Sequence, residues 1–129
     1  MVYILDTHTL VWFFEGSGKL GHHAASILRD NTQRLIIPSI VLTEIKYLSS
    51  KKKTRLLLEE VIGTLESDPR CTIYPLDTNV IQLMPVIWDI HDGIICGTAL
   101  VYRDFLGEEA TVITKDVKIR NAGIVNTMW

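Results

Sequence analysis

The chain has 129 residues and a mass of 14.6 kDa, which is the size of one ordinary domain, so we expect a single domain over residues 1–129. It is 47% hydrophobic and 22% charged, which is too apolar for intrinsic disorder, and its apolar runs are too short to span a membrane. A formal net charge of −2 and a pI near 6.0 argue against nucleic-acid binding through a uniformly basic surface.

The start of the chain predicts a cytoplasmic protein. Met1 leads directly into an apolar stretch without a basic region or a small-residue cleavage site, so we expect no secretory signal. Two cysteines, Cys71 and Cys96, stand apart and lack a metal-ligand spacing. We expect both to be reduced, buried thiols.

Short apolar runs alternate with helical segments along the chain. Strands are predicted at Val2–Leu5, Arg34–Ile37, Cys71–Tyr74 and Ala110–Thr114, with a short fifth strand at Val125–Trp129. Helices are predicted at Thr9–Phe14, His22–Arg29, Ser39–Ser50, Thr54–Leu65, Thr78–Ile87 and from Asp89 or His91 to Phe105. Strands that are apolar throughout and separated by helices indicate a three-layer α/β/α sandwich with a central, mainly parallel sheet.

Asp6 and Asp116 each follow a predicted strand. Ligands of parallel α/β folds bind outside the carboxyl ends of the strands, so both residues are candidates for a functional site. Each residue also has a local interpretation. Asp6 could be the N-cap of the next helix and nothing more, and Asp116 could be an exposed turn residue.

Glu44 lies on the apolar face of its predicted helix, which Val41, Ile45 and Leu48 define. An unpaired carboxylate that points inward costs on the order of several kcal/mol, so it would need a cation, a partner or a cleft. The alternative is a narrower apolar stripe that leaves Glu44 at its solvent edge.

Asp92 repeats this pattern three residues before Ile95, on the side that also carries Ala99. Its alternative is a capping role, because Asp89 and Asp92 could be the N-cap and N3 residues of the helix.

The four acids Asp6, Glu44, Asp92 and Asp116 are expected to meet at one edge of the sheet. Carboxylates within a few ångströms repel one another, so such a cluster is stable only when protons or a cation neutralise it. Oxygen ligands without histidine or cysteine select Mg²⁺ or Mn²⁺. These ions support phosphoryl transfer or hydrolysis through an activated water.

Four segments together resemble the PIN-domain nucleases, and specifically the small VapC-type toxins, over essentially the whole chain. They are Leu5–Trp12, Pro38–Ile45, His91–Ala99 and Ile113–Asp116. The acidic quartet of that family falls on Asp6, Glu44, Asp92 and Asp116. Two departures stand out, because Gly93 takes the place of an arginine that many relatives carry and Gly97 replaces an alanine, for which we expect little effect.

The resemblance implies a Mg²⁺-dependent endoribonuclease, with Mn²⁺ able to substitute, that forms a homodimer and is neutralised by a cognate antitoxin. Asp6, Glu44 and Asp92 would bind the metal directly or through water, and Asp116 would hold a second ion or orient water. Thr7 and Thr114 are expected to orient the carboxylates.

A basic run consists of Lys51, Lys52, Lys53 and Arg55. It has two interpretations, a solvated helix end or contacts to the backbone of a bound RNA. We expect the three tryptophans to serve packing in the core or a dimer, and we assign no role to His8 or His91.

Two other enzyme classes with related folds do not fit. A receiver domain requires an acidic pair after the first strand, whereas Asp6 is followed by Thr7 and His8. A haloacid-dehalogenase-like phosphatase requires Asp-x-Asp there, and His8 stands in place of the second aspartate. The alternative that remains open is a PIN-like module that binds RNA or protein without catalysis.

Overall fold

Five strands form one all-parallel sheet in the computed structural model, which describes residues 1–129, with strand order β3-β2-β1-β4-β5. The elements in chain order are β1 Val2–Leu5, α1 Thr7–Glu15, α2 His22–Arg29, β2 Arg34–Pro38, α3 Ser39–Ser50, α4 Leu58–Ser67, β3 Cys71–Tyr74, α5 Thr78–Leu83, α6 Ile90–Asp104, β4 Ala110–Ile113, α7 Val117–Ala122 and β5 Asn126–Met128.

Helices cover both faces of this sheet. Successive side chains of a strand point to opposite faces, and all four residues of β1 and all four of β4 are buried. The predicted α/β/α sandwich with a parallel sheet is therefore confirmed. No helix combines the length and the apolar character that crossing a membrane requires.

The register of the central strands fixes the place of the functional residues. β1 pairs with β4 so that Leu5 lies opposite Ile113, and the Asp6 N–H donates to the Ile113 carbonyl at 3.4 Å. The segments that follow β1 and β4 consequently leave the sheet side by side. Asp6 and Asp116 lie in these two segments.

Two helix boundaries differ by four residues from the predicted ones, and the other bounds agree within two residues. The helix expected from Thr54 begins at Leu58, because the Thr54 hydroxyl accepts from the Leu56 N–H and offers the backbone a competing turn. The next helix ends at Leu83 rather than Ile87, since Pro85 disfavours a helical residue before it. The short helix α7 was not predicted.

The two cysteines differ in burial. Both thiols are free, and Cys96 is buried as expected. Cys71 is only half-buried, because it lies on β3 at the edge of the sheet, so the prediction of a buried thiol is wrong there.

Candidate functional site

A cleft of about 420 Å³ opens at the carboxyl ends of β1 and β4. Its lining is mainly polar and contains five carboxylates, from Asp6, Glu44, Asp89, Asp92 and Asp116. The side chains that the sequence predicts to meet thus line the same cavity. The other residues that line it are Thr7, His8, Trp12, His91, Ile95, Lys115 and Lys118.

Asp6 is held by the start of α1. Its Oδ1 accepts from the Thr9 N–H at 2.9 Å and lies 2.6 Å from the Thr9 hydroxyl, which is also 2.8 Å from the Ile113 carbonyl. Thr9 is fully buried and therefore joins the end of β1 to the end of β4. Thr9 was not predicted as a site residue, because its contact with the Ile113 carbonyl joins segments that are distant in sequence and leaves no local signal.

Glu44 points inward from α3, as its helical position predicts. Its neighbours Val41 and Ile45 are fully buried, and Glu44 itself is half-buried. The Glu44 Oε1 atom is buried without any hydrogen-bond partner. A carboxylate oxygen in that condition is unfavourable unless a proton or a cation reaches it.

Asp92 lies in the first turn of α6, but the residue that caps this helix is Asp89, whose Oδ1 accepts from the Asp92 N–H at 3.0 Å. The Asp92 carboxylate is thus free to face the cleft. Burial first, and then the negative charges of Asp89, Asp116 and Glu44, raise its pKa to about 6, against the opposing effect of Lys118.

Asp116 caps α7, with its Oδ1 accepting from the Lys118 N–H at 2.9 Å. The Asp116 N–H donates to the hydroxyl of the buried Thr114 at 3.0 Å, so Thr114 fixes the turn rather than the carboxylate itself. The Thr7 hydroxyl is buried and has no hydrogen-bond partner.

The acids line one cleft without forming the compact cluster that the sequence analysis expects. No three of the histidine, cysteine, aspartate and glutamate side chains are placed to hold one metal ion together. Two of the carboxylates are fixed locally, because the Oδ1 atoms of Asp6 and Asp116 accept the N-cap hydrogen bonds of α1 and α7.

Positive charge at the cleft comes from the segment after β4. Lys115 and Lys118 both line the cavity, and neither takes part in any of the three salt bridges of the chain. Gly93 leaves no arginine beside Asp92, and Lys118 is the cation that acts on Asp92 instead.

The basic run lies away from the cleft, at the far end of α1. Lys52, Lys53 and Arg55 line a separate hollow together with Glu15, the last residue of that helix. A helix of 9 residues is about 14 Å long, which separates the run from Asp6 at the other end. RNA binding by this run stays a prediction.

Gly93 and Gly97 allow α6 to approach the segment that precedes it. A Cβ at Gly93 would lie 2.5 Å from the Pro85 carbonyl oxygen, and a Cβ at Gly97 would lie 2.9 Å from the Met84 Cβ. Both glycines are buried, and the small effect expected for Gly97 does not fit this contact. The two residues position the start of α6 and hence Asp92.

The raised pKa of Asp92 predicts a pH-dependent stability of the metal-free protein. The folded chain keeps a proton that an unfolded aspartate, with a pKa of 3.8, releases. The contribution of Asp92 to stability is therefore fully present below about pH 4 and is lost as the pH rises through about 6. We expect a loss of about 1–2 kcal/mol, because partial exposure screens the charge.

This loss is measured as the free energy of unfolding in EDTA at about pH 4 and about pH 7, in the wild type and in Asp92→Asn. We expect the wild type to lose more stability over this interval than Asp92→Asn, in which the titrating group is absent. An equal change in both proteins would contradict the effect assigned to Asp92.

The fold and the cleft together define a class of protein, an α/β protein whose acidic residues line a cleft at the carboxyl edge of a parallel sheet. The model of the PIN domain family matches residues 3–124, and the chain belongs to that family. A search of curated proteins finds no match.

Three solved structures have a similar fold. VapBC2 from Rickettsia felis, bound to a DNA fragment from its promoter, is 20% identical with a TM-score of 0.71, covering 99% of this chain and 98% of the other. The DNA-bound VapBC from Salmonella typhimurium is 19% identical with a TM-score of 0.65 over 99% and 97%. A toxin–antitoxin complex from Klebsiella pneumoniae is 17% identical with a TM-score of 0.62 over 95% and 94%.

Proposed function

We propose that this protein is a metal-dependent endoribonuclease and the toxin of a toxin–antitoxin pair. The observation that carries the proposal is the buried Glu44 Oε1, which has no partner within the chain and belongs to a cleft that Asp6, Asp92 and Asp116 also line. The membership of the PIN domain family supports a nuclease. The similarity to VapBC and toxin–antitoxin complexes supports an antitoxin as partner.

The donor set fits a hard divalent cation. All four proposed ligands, Asp6, Glu44, Asp92 and Asp116, supply carboxylate oxygens, and Mg²⁺ or Mn²⁺ prefers such ligands. Mg²⁺ usually keeps several of its waters, so it does not require three protein ligands in contact with it. When bound, the ion would lower the pKa of a water and neutralise developing negative charge.

The residues of the chain have distinct parts in the proposed hydrolysis. Asp6 is fixed through its Oδ1 by Thr9 and keeps its Oδ2 for the metal. Glu44 and Asp92 would hold the metal from the helices α3 and α6. Asp116 would orient the attacking water or hold a second ion, and Thr114 fixes the turn that carries Asp116. The Thr7 hydroxyl has no hydrogen-bond partner and therefore orients no carboxylate, contrary to the prediction.

We further propose that the protein acts in the cytoplasm as a homodimer, with a cognate antitoxin that blocks the cleft. A second candidate function is a PIN-like module that binds RNA or protein without cleaving it. The spacing of the acids, no three of which are placed to hold one ion, favours this alternative.

Incubation of a labelled single-stranded RNA with the purified, antitoxin-free protein separates the two functions. We expect internal cleavage with Mg²⁺ or Mn²⁺ and none with EDTA. RNA that is bound but intact at every metal concentration, across several unrelated sequences, would support the binding module and contradict the nuclease.

Glu44→Gln tests the metal site without relying on activity. The substitution removes one negative charge from the cleft and keeps the shape of the side chain, so we expect Mn²⁺ affinity to fall about 10-fold or more and metal-free stability to stay equal or rise. Calorimetric titration with Mn²⁺ and thermal unfolding in EDTA measure the two effects. A large loss of metal-free stability would instead show that Glu44 is a structural partner.

A further inference from the structure

One wall of the cleft is aromatic and basic. Trp12 lines it from α1, and the His8 ring lies one helical turn earlier with its centroid 5.3 Å from that of Trp12. The Nζ atoms of Lys19 and Lys115 lie over the Trp12 ring, 5.9 and 5.6 Å from its centroid. His8, Trp12 and Lys115 line the cleft, whereas Lys19 contacts only the Trp12 ring. We call these four residues the Trp12 wall.

The cations of the Trp12 wall are available to a ligand. Lys19 and Lys115 are exposed, and neither takes part in any of the three salt bridges of the chain. Their contact with the indole is a cation–π interaction, which is weak at an exposed site. An incoming anion can therefore draw both ammonium groups away at little cost.

Trp12 also separates two cavities. A hollow of about 490 Å³ adjoins it between α1 and α2, and Trp12 is the residue that this hollow shares with the acidic cleft. The hollow carries the side chains of His22 and Arg29, both exposed. Arg29 has no acidic partner. The acidic cleft thus adjoins, across Trp12, a hollow that carries an arginine without an acidic partner.

We infer that single-stranded RNA crosses the Trp12 wall, with one base stacked on the Trp12 indole and adjacent phosphates on Lys19, Lys115 and Arg29. The inference rests on the proposed nuclease function, for which it names the substrate path. The carboxylates of the cleft repel phosphates, so cations on its wall and beside it have to hold the strand, and Lys115, Lys19 and Arg29 are placed there. Unpaired bases stack on aromatic side chains, a contact that a paired duplex does not offer.

The basic run at Lys51–Arg55 is the rival path. It carries more positive charge, but its hollow shares no residue with the cleft and includes the carboxylate of Glu15. No aromatic ring lines that hollow. A strand held there would place its bases about one helix length from Asp6.

Binding of a labelled single-stranded RNA in EDTA, followed by fluorescence anisotropy, tests the inference without cleavage. We expect Trp12→Leu, which keeps an apolar side chain, to weaken binding about 10-fold or more, and Trp12→Phe to bind within about 3-fold of wild type. The phenylalanine variant keeps a stacking face, so it separates stacking from a loss of packing.

A matched pair of charge changes tests the path. The double variant Lys19→Gln/Lys115→Gln should bind more weakly and reduce the salt dependence by about 1.4 in logarithmic slope, as expected for two lost phosphate contacts. The double variant Lys52→Gln/Lys53→Gln removes the same charge from the basic run and should bind as the wild type does.

Wild-type affinity in Trp12→Leu, absent RNA binding by the wild type, or an equal loss in the Lys52→Gln/Lys53→Gln control would overturn the inference. These outcomes are distinct from a failure of the proposed function. Binding that depends on Trp12 without cleavage in Mg²⁺ would support the proposed RNA path and reject the nuclease. Cleavage by Trp12→Leu at the wild-type rate would support the nuclease and reject the proposed RNA path.

Discussion

Replacing Asp6 by asparagine is expected to reduce RNA cleavage about 100-fold or more, while the protein stays folded. A metal site contributes several kcal/mol to the transition state, and about 1.4 kcal/mol corresponds to each tenfold change in rate. Asparagine keeps an oxygen that can accept from the Thr9 N–H, and it is as good an N-cap as aspartate. The loss would therefore come from the missing charge rather than from a broken helix start.

Asp77→Asn is the matched control. Asp77 caps α5 through the Val80 N–H at 3.0 Å, as Asp6 caps α1, but it does not line the cleft. Rates are compared at saturating Mn²⁺, with thermal unfolding of both variants. Full activity in Asp6→Asn, or an equal loss in Asp77→Asn, would remove Asp6 from the site.

Gly93→Ala is expected to destabilise the protein by about 1–3 kcal/mol, although alanine favours a helix more than glycine does. The new Cβ would lie 2.5 Å from the Pro85 carbonyl oxygen, a backbone atom, so α6 or the segment before it has to move. Asp89 is the N-cap of α6 and Asp92 lies in its first turn next to Gly93, so this movement would displace both carboxylates. We therefore also expect cleavage to fall.

Gly63→Ala is the control for this prediction. Gly63 lies inside α4, and a Cβ there would meet nothing within 4 Å. The same substitution should stabilise the protein by about 0.5–1 kcal/mol and leave cleavage unchanged. Chemical denaturation of both variants measures the difference. An equal change of stability in the two variants would contradict the close approach assigned to Gly93.

The strands and the location of the acids could be predicted because both follow from local rules. β1 has the predicted bounds, since a run of apolar residues without alternation is typical of a strand covered on both faces. β3 also has the predicted bounds, although it is an edge strand without a fully buried residue. Parallel strands place their ends at one edge, which brings Asp6 and Asp116 together. The inward position of Glu44 follows from the spacing of Val41 and Ile45.

The spacing of the acids could not be predicted, because it depends on how each helix start holds its carboxylate. The sequence marks Asp6 and Asp116 as possible caps but does not reveal that each accepts the capping hydrogen bonds through Oδ1. Tertiary contacts also escaped prediction. The place of Trp12 in the cleft and the contact of Gly93 with Pro85 join segments that are distant in sequence or lie on different elements.

A crystal structure of the protein soaked with Mn²⁺, with the anomalous signal used to locate the ion, tests the proposed metal site most directly. We expect an ion in the cleft about 2.1 Å from carboxylate oxygens of Asp6 and Asp92, with Glu44 Oε1 bound to it directly or through a water. An empty cleft at saturating Mn²⁺, with Glu44 paired to another group of the chain, would contradict it.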